Sequence, residues 1–372
     1  MKNILFVASE AVPFVKTGGL ADVVGSLPGY FDKKYFDCRV MLPKYMCIPW
    51  ELRERLEYVS HFYMDYLGQS RYVGILKAEH EGVTYYFIDN EGYFSGDRPY
   101  GNWLYDLEKF SFFSLAALST LPVIGFKPDV VHCHDWQTGL IPVYLKDRFR
   151  EGEFFRNMKS VFTIHNLKFQ GVWDVDTIKR FSTLPGYYFT EDKLESYKNG
   201  NMLKGGVVYA DAITTVSDTY AKEIQTEFFG EGLDGLMRAR SNSLRGIVNG
   251  IDYSEFNPET DEYIYQKYSA KNFRKEKYKN KTGLQTDLGL EVDEGRFMLG
   301  IVSRLTNQKG LDLVRCVIDE ICQEDTQLVV LGTGDEEICS GIMTGSTATE
   351  YPLKFIIRKP CRIRCMLPVM PF

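Results

Sequence analysis

Three groups of polar residues have the types and spacing that chemistry on a phosphorylated or hydroxylated substrate requires. The first is Lys16-Thr17-Gly18-Gly19, which lies between an apolar run and a helical pattern near the N-terminus. A glycine turn at such a junction presents free backbone N–H groups and the positive end of a helix dipole to an anion. Lys16 adds a positive charge. The stretch matches neither GxGxxG nor GxxxxGK[ST], so a phosphate contact and a tight surface turn are both open.

The second group combines histidines with an acid and an amide at two predicted strand ends. His132, His134 and Asp135 end the run DVVHCHD, and His165 and Asn166 end the run KSVFTIHN. In open parallel sheets ligands bind beyond the carboxyl ends of the strands. A mixture of imidazole, carboxylate and amide suits the recognition of sugar hydroxyls, and metal binding is the alternative.

The third group is Arg304 with Lys309, which follow an apolar run in the last third of the chain. A guanidinium binds two phosphate oxygens at once and an ammonium adds a second charge, so this spacing suits a diphosphate. A solvent-exposed loop is the alternative. Cys361 and Cys365 form a CxxxC pattern without a second ligand pair, which is weak evidence for a metal.

The elements that must position these groups are short apolar runs separated by helical patterns. Helices are predicted at Tyr105–Leu121, Thr138–Arg148 and from about Gly310. Strands are predicted at Asn3–Ser9, Cys38–Pro43, Val83–Asp89, Asp129–Asp135, Lys159–Asn166, Ala212–Ser217, Leu244–Gly250, Phe297–Ser303 and Thr326–Asp335. Apolar strands alternating with helices indicate doubly wound parallel sheets. The predicted class is therefore α/β, with two Rossmann-like domains of which the second is incomplete.

The pattern divides the chain into four parts. Residues 1–250 form one complete domain, 251–295 a polar connector, and 296–337 the start of a second Rossmann-like domain. Half of a parallel sheet leaves an unpaired edge and uncovered apolar faces. Residues 338–372 hold three of the eight Cys and continue no strand or helix pattern, so we expect this tail to be disordered.

Composition excludes several classes of protein. The net charge is −6 with acids and bases interspersed, which argues against nucleic acid as a partner. The apolar run ILFVA is too short for a signal peptide, and the uncharged stretch from Phe110 to Phe126 is too short to span a membrane. Cysteines without regular spacing read as reduced thiols, so we expect a cytoplasmic protein. The sequence does not indicate an oligomeric state.

Six long stretches resemble a known family and occur in its order. They read ASEAVPFVKTGGLADVVGSLP, PDVVHCHDWQTGLIP, FTIHNLKFQG, TTVSDTYAKEI, GIVNGIDYSEFNP and GIVSRLTNQKGLDL. Together they resemble bacterial glycogen synthase and plant starch synthase. The resemblance implies a B-type glycosyltransferase fold, in which two Rossmann-like domains face a cleft. It also implies transfer of glucose from ADP-glucose to the non-reducing end of an α-1,4-glucan such as glycogen, with retention of configuration and with no metal or other cofactor.

The same resemblance assigns the donor contacts. It implies that Lys16 and the backbone of Gly18 and Gly19 meet the phosphate and the glucose of the donor. Arg304 and Lys309 would bind the diphosphate and stabilise negative charge on the departing ADP. Closure of the two domains would exclude water, which otherwise hydrolyses the donor.

The remaining implied site residues are acids, a histidine and two amides. His165 would lie against the transferred glucose with Asn166 beside it, and Asn249 would lie near the domain junction. Acidic positions on the cleft side are matched by Glu10, Asp22 and Asp135. The residues implied to take part in the transfer step itself are Lys16, Asp135, His165, Arg304 and Lys309.

The chain departs from the family after Glu337. The family's second domain continues well beyond this point and carries a glutamate-containing motif, roughly PSxFEPCGLxQ, followed by a TGGL loop; neither is present here. The abrupt change suggests a shift of reading frame in the gene or its sequencing, and family-like text in another frame downstream of codon 337 would support that hypothesis. From this departure we expect little or no synthase activity.

Two other functions are compatible with the sequence. One is a B-type glycosyltransferase that uses a UDP-sugar, which donor competition would distinguish. The other is a non-catalytic remnant that binds glucan through surface aromatics, since the chain has 24 Tyr and 25 Phe. Co-sedimentation with glycogen without incorporation of glucose would identify the remnant.

Overall fold

The computed structural model describes residues 1–101, 103–323, 326–332, 334 and 353–356. The chain divides into two compact units, Met1–Gly250 and Ile251–Phe372, which are described one at a time.

The first unit is built on a nine-stranded sheet with the order β12-β11-β7-β6-β1-β2-β5-β4-β3. Its strands are β1 (Lys2–Val7), β2 (Phe36–Pro43), β3 (Glu57–Tyr66), β4 (Gln69–His80), β5 (Val83–Asp89), β6 (Val130–His134), β7 (Lys159–Ile164), β11 (Ala212–Thr215) and β12 (Leu244–Gly246). A small separate sheet has the order β8-β10-β9 and comprises β8 (Val172–Asp174), β9 (Glu195–Ser196) and β10 (Asn199–Asn201).

The predicted parallel α/β sheet is confirmed. All neighbours from β12 to β5 pair in parallel. Each of the seven strands predicted in this region is present, and the ends differ by a few residues. The sequence pattern missed β3 and β4, which add to β5 as an antiparallel hairpin. Their turn is Leu67-Gly68, with φ values of 57° and 70°. That turn lacks the Asn-Gly or Asp-Gly signature of a two-residue hairpin.

Nine α-helices, within the described residues, accompany the sheets of the first unit. They are α1 (Gly19–Ser26), α2 (Trp50–Arg53), α3 (Glu91–Phe94), α4 (Trp103–Val123), α5 (Leu140–Asp147), α6 (Val175–Ser182), α7 (Met202–Tyr209), α8 (Asp218–Glu223) and α9 (Asp234–Ala239). Short 3₁₀ helices lie at Leu27–Tyr30, Trp136–Thr138, Gly186–Tyr188 and Ser241–Ser243.

Helix α4 contains most of the uncharged stretch, Phe110 to Phe126, that the sequence singled out. It is buried along most of its length and continues one residue past Pro122 to Val123. Among the described residues, no helix combines the length and the apolar character that crossing a bilayer requires. The helix instead packs inside one continuous apolar core, whose members run from Leu5 to Leu244.

The second unit contains a smaller parallel sheet with the order β13-β14-β15. Its elements are α10 (Phe273–Asp287), β13 (Phe297–Val302), a 3₁₀ turn (Asn307–Lys309), α11 (Leu311–Gln323), β14 (Thr326–Leu331) and β15 (Leu353–Ile356). Leu305, Leu311, Ile318, Leu328 and Val330 form its core.

Strand β15 lies within the segment 338–372, for which the sequence predicts no strand. The structure differs at these four residues, which pair in parallel with β14. A free strand edge presents unpaired N–H and C=O groups that an added strand satisfies. The rest of 338–372, including Cys361 and Cys365, lies outside the described residues.

Candidate active site

The strand order of the first unit reverses at β1. This strand has β2 on one side and β6 on the other, and β7 lies beyond β6. In a doubly wound sheet the loops at such a reversal diverge and leave a crevice at the carboxyl ends. The loop after β1 carries Glu10, Asp135 follows β6 directly, and His165 follows β7 directly. These three residues are called the carboxyl-end cluster below.

The glycine loop between β1 and α1 is open above its backbone. Gly18 caps α1 with an extended φ of −159°, which any residue can adopt. A methyl group built on Gly18 or on Gly19 meets no atom of the described residues within 4 Å. Neither protein packing nor backbone conformation therefore requires glycine at these positions. Their backbone is therefore open to close approach by another group.

Lys16 forms an ion pair with Asp22 across the start of α1. Both side chains are about one-third exposed or less, at 27% and 35%. The ammonium therefore lies beside the glycine loop with further N–H donors available. The pair brings together two residues that the sequence singled out separately.

Glu10 is 4% exposed and connects the glycine loop to the sheet. Its Oε2 accepts a hydrogen bond from the backbone N–H of Thr17 over 2.5 Å. Burial raises the pKa of Glu10 above its ordinary value, and the hydrogen bonds from Thr17 and Gly18 oppose this shift.

Asp135 is held in a backbone conformation that few residues adopt. Its φ of 56° and ψ of −177° fall in a region that costs a non-glycine residue free energy. The Asp135 N–H donates to the Thr163 carbonyl over 3.0 Å, and its Oδ1 accepts from the His165 N–H over 2.7 Å. Asp135 follows β6, and both of these hydrogen bonds join it to residues of β7 or of the turn after β7. It therefore connects the carboxyl ends of the two strands.

Burial raises the pKa of Asp135 to about 7. The nearby Glu10 carboxylate raises this pKa further, whereas the N–H groups of His165 and Asn166 lower it. A carboxyl group of this kind exchanges its proton near neutrality, which suits proton transfer or a switch of charge at a site.

The three clustered histidines are neutral at physiological pH. Burial lowers the pKa of His132 to about 3 and of His165 to about 4, and the pKa of His134 lies well below its ordinary value. His134 Nδ1 and His165 Nε2 share a hydrogen bond of 3.0 Å. His132 Nε2 lies 2.6 Å from Thr163 Oγ1. No group of three or more His, Cys, Asp or Glu side chains within the described residues is arranged to hold a metal ion.

Neutral imidazoles recognise hydroxyl groups by hydrogen bonds rather than by charge. The rings of His132 and His134 stack at a centroid distance of 4.3 Å, and Phe6 lies against both. His134 Nε2 is buried and has no hydrogen-bond partner among the residues that the structure describes. His165 alone of the three follows the end of its strand, so it is the histidine best placed to face a ligand.

The two asparagines that the sequence selected differ in their surroundings. Asn166 is half-buried, and its Oδ1 accepts from the Lys168 N–H over 3.1 Å, which shapes the turn after β7. Asn249 is exposed at the end of the first unit and lies outside any helix or strand.

In the second unit, Arg304 and Lys309 occupy one loop between β13 and α11. Both side chains are exposed, and within the described residues neither forms an ion pair or a hydrogen bond. Gly310 ends this loop with a φ of 67°, a left-handed conformation that favours glycine. The two cations are thus available to an anionic ligand.

Sequence reasoning missed Tyr100. Its hydroxyl lies 2.6 Å from Ser9 Oγ and interacts with the Glu10 carboxyl, at the edge of the carboxyl-end cluster. Tyr100 lies in the polar stretch SGDRPYGN, which has no pattern that marks a site. Only the path of the chain in three dimensions brings it to Glu10.

Comparison with known proteins gives a consistent result. Residues 3–239 match the family model for the starch synthase catalytic domain. The chain is 65% identical to glycogen synthase of Lachnospira eligens over 90% of its own length and 70% of that protein. It is 48% identical to glycogen synthase of Anoxybacillus flavithermus over 90% of its length and 69% of that protein.

Among solved structures, the chain is similar to the catalytic domain of starch synthase IV from Arabidopsis thaliana bound to ADP and acarbose. The TM-score is 0.88 and the identity 29%, over 97% of this chain and 75% of that one. The predicted B-type glycosyltransferase fold is thereby confirmed. A nucleotide-sugar donor and a glucan acceptor are the substrates that this family implies. Both the sequence match and the fold lead to one conclusion: the chain belongs to the starch synthase catalytic-domain family, whose members are glycosyltransferases of the glycogen and starch synthase type.

Proposed function

We propose that this chain is a glycogen or starch synthase, which transfers glucose from ADP-glucose to the non-reducing end of an α-1,4-glucan such as glycogen, with retention of configuration. We also propose that its activity is low, because its sequence departs from the family after Glu337. The observation that carries the proposal is the carboxyl-end cluster beside an open glycine loop. That arrangement offers backbone N–H groups to a phosphate and neutral hydrogen-bonding groups to a sugar. ADP, bound in the Arabidopsis relative, is the nucleotide portion of the proposed donor.

In the proposed donor complex, phosphate competes with Asp22 for the ammonium of Lys16. The pair is partly exposed, so exchanging a carboxylate for a phosphate oxygen costs little. Gly18 and Gly19 then receive the donor against their backbone. Arg304 and Lys309 are proposed to contact the diphosphate, because both are free cations on one loop within the described residues.

The transfer breaks the bond between glucose C1 and the diphosphate oxygen. A hydroxyl oxygen of the acceptor bonds to C1 on the same face, and its proton passes to the departing diphosphate oxygen. Cationic side chains stabilise the negative charge that develops on ADP. We assign His165 to hydrogen bonds with the transferred glucose, and Asp135 to fixing the turn that carries His165. We also propose that the reaction takes place in the cytoplasm.

Incorporation of radiolabelled glucose into glycogen tests the proposal. Wild-type chain should incorporate label slowly, because its sequence departs from the family after Glu337, but faster from ADP-glucose than from UDP-glucose. His165→Ala should lose most of this low activity. A preference for UDP-glucose would favour the alternative donor. Co-sedimentation with glycogen without incorporation would favour the glucan-binding remnant. Absence of both binding and transfer would overturn the proposal.

A further inference from the structure

A buried ion pair in helix α4 lies beside the loop that carries Tyr100. Asp106 and Lys109 are 7% and 4% exposed. Lys109 Nζ donates to Asp106 Oδ1 over 2.6 Å. Burying two charges costs free energy that their mutual attraction often does not recover, so stability alone is a weak reason for such a pair. The other hydrogen bonds of the two side chains indicate what the pair holds.

Both charged groups bind the backbone on either side of Tyr100. Lys109 Nζ also donates to the Pro99 carbonyl over 2.5 Å. Asp106 Oδ2 accepts from the Gly101 N–H over 2.9 Å. The loop is therefore fixed at the residue before Tyr100 and at the residue after it. Gly101 has a φ of 144°, which a residue with a side chain rarely adopts.

The loop adjoins a cavity of about 210 Å³, whose lining residues include Tyr45, Tyr100, Asp106 and Lys109. The Tyr45 hydroxyl is buried there without a hydrogen-bond partner in the described part of the chain. Where a cavity replaces close packing, the position of a loop depends on its polar contacts.

The loop delivers the Tyr100 hydroxyl to Ser9 and Glu10, and so to the carboxyl-end cluster. We propose that Asp106 and Lys109 form a clamp that positions Tyr100 at this cluster for the transfer reaction. Neither side chain is offered as a catalytic residue, because both act through the backbone of Pro99 and Gly101. This inference rests on the proposed function, in which the Tyr100 hydroxyl is part of the active site.

The first test measures the clamp itself. The variant Asp106→Leu combined with Lys109→Met removes both charges and leaves apolar side chains, a replacement that often preserves stability. Hydrogen–deuterium exchange of the full chain should show faster exchange of the Gly101 amide in this double variant. Exchange in β6 and β7 should remain at the wild-type rate. Unchanged exchange at Gly101 would overturn the proposal.

The second test measures the consequence for the reaction. The double variant and Tyr100→Phe should each lower kcat/KM for glucosyl transfer by about tenfold, because small displacements of positioned groups cost at least this much. Combining them should cost no more than Tyr100→Phe alone, since both act through one hydroxyl. Costs that multiply would overturn the proposal.

Tyr144→Phe is the matched control. Tyr144 is also buried, and its hydroxyl donates to the Ser182 carbonyl over 2.8 Å, outside the loop that carries Tyr100. It should lower stability without changing kcat/KM or the exchange of Gly101. If the wild type neither binds glycogen nor transfers glucose, the proposed function fails, and the clamp is then judged by the exchange measurement alone.

Discussion

At the scale of single residues, the carboxyl-end cluster contains a residue whose state lowers folding stability but suits chemistry at a site. Asp135 has an uncommon backbone conformation, and its carboxyl group is held where the charged form is disfavoured. Strain and perturbed pKa values gather at functional sites because a site must hold groups in states that folding by itself does not favour.

Asp135→Asn should stabilise the protein in a pH-dependent way. The folded pKa of about 7 lies above the ordinary value of 3.8, so the unfolded chain binds fewer protons and stability falls as pH rises from about 4 to 7. Asparagine has no charge to bury and can still accept from the His165 N–H. We expect a Tm at least about 2 °C above wild type at pH 8 and a smaller gain at pH 5. An equal difference at both pH values would contradict the titration of Asp135.

Gly19→Ala should separate ligand binding from folding. The added methyl group meets no described atom within 4 Å, and alanine at the start of α1 favours the helix. The Tm should therefore stay the same or rise. If the donor approaches this backbone, the methyl group should raise KM for ADP-glucose about tenfold or more, because crowding costs about 1–3 kcal/mol.

The control for that variant is Gly206→Ala. Its methyl group would lie 2.5 Å from the ring of Phe162 in the core, so this variant should lose stability. A loss of Tm in Gly19→Ala similar to that of Gly206→Ala would show that the glycine loop is packed rather than open.

At the scale of elements, α7 and α8 of the first unit begin at side-chain caps. Ser217 accepts from the Tyr220 N–H at the start of α8, and Asn201 accepts from the Lys204 N–H at the start of α7. Each cap satisfies a backbone donor that the helix leaves unpaired. The cap at Ser217 also follows β11, so it fixes where that strand gives way to its helix.

Ser217→Ala should cost about 1 kcal/mol of folding stability, because the Tyr220 N–H loses its partner. Thermal unfolding followed by circular dichroism should show a Tm lower by about 2–4 °C. Ser241→Ala is the control, since Ser241 is exposed and its hydroxyl makes no hydrogen bond to the described residues. An equal Tm for the two variants would show that the Ser217 cap does not contribute to stability.

At the scale of the whole molecule, two separate apolar cores correspond to the two units. The core of the first unit ends at Leu244, whereas that of the second runs from Leu305 to Val330. The first core holds most of the large buried side chains of the described residues. A continuous core of this size is sufficient for an independently folding domain.

Residues 1–250 expressed alone should therefore fold cooperatively. We expect a sigmoidal thermal transition within about 5 °C of the first transition of the full chain, since the first core lies wholly inside this fragment. Under the proposed function the fragment should not transfer glucose, because it lacks Arg304 and Lys309, which we propose to contact the diphosphate. An expanded fragment without a cooperative transition would contradict the independence of this unit.

The parallel strands and the order of the motifs could be predicted from local sequence patterns. Apolar runs such as those of β1, β6 and β7 are local signals, and strand ends on a parallel sheet meet at one edge whatever the details of packing. His165 and Asp135 could thus be selected together from the sequence, and in the structure the His165 N–H donates to Asp135 Oδ1.

Which groups are charged, and which residue completes the carboxyl-end cluster, depend on how the chain folds and could not be predicted from the sequence. The neutral state of the histidines and the pKa of Asp135 follow from burial, which no short stretch of sequence reveals. Tyr100 reaches Glu10 because a buried ion pair in α4 holds its loop, and contacts across such sequence distances depend on how the chain packs. The local pattern of apolar and polar residues determines where strands and helices form. Burial and contacts between distant parts of the chain determine the charge and the hydrogen bonds of the residues at the strand ends.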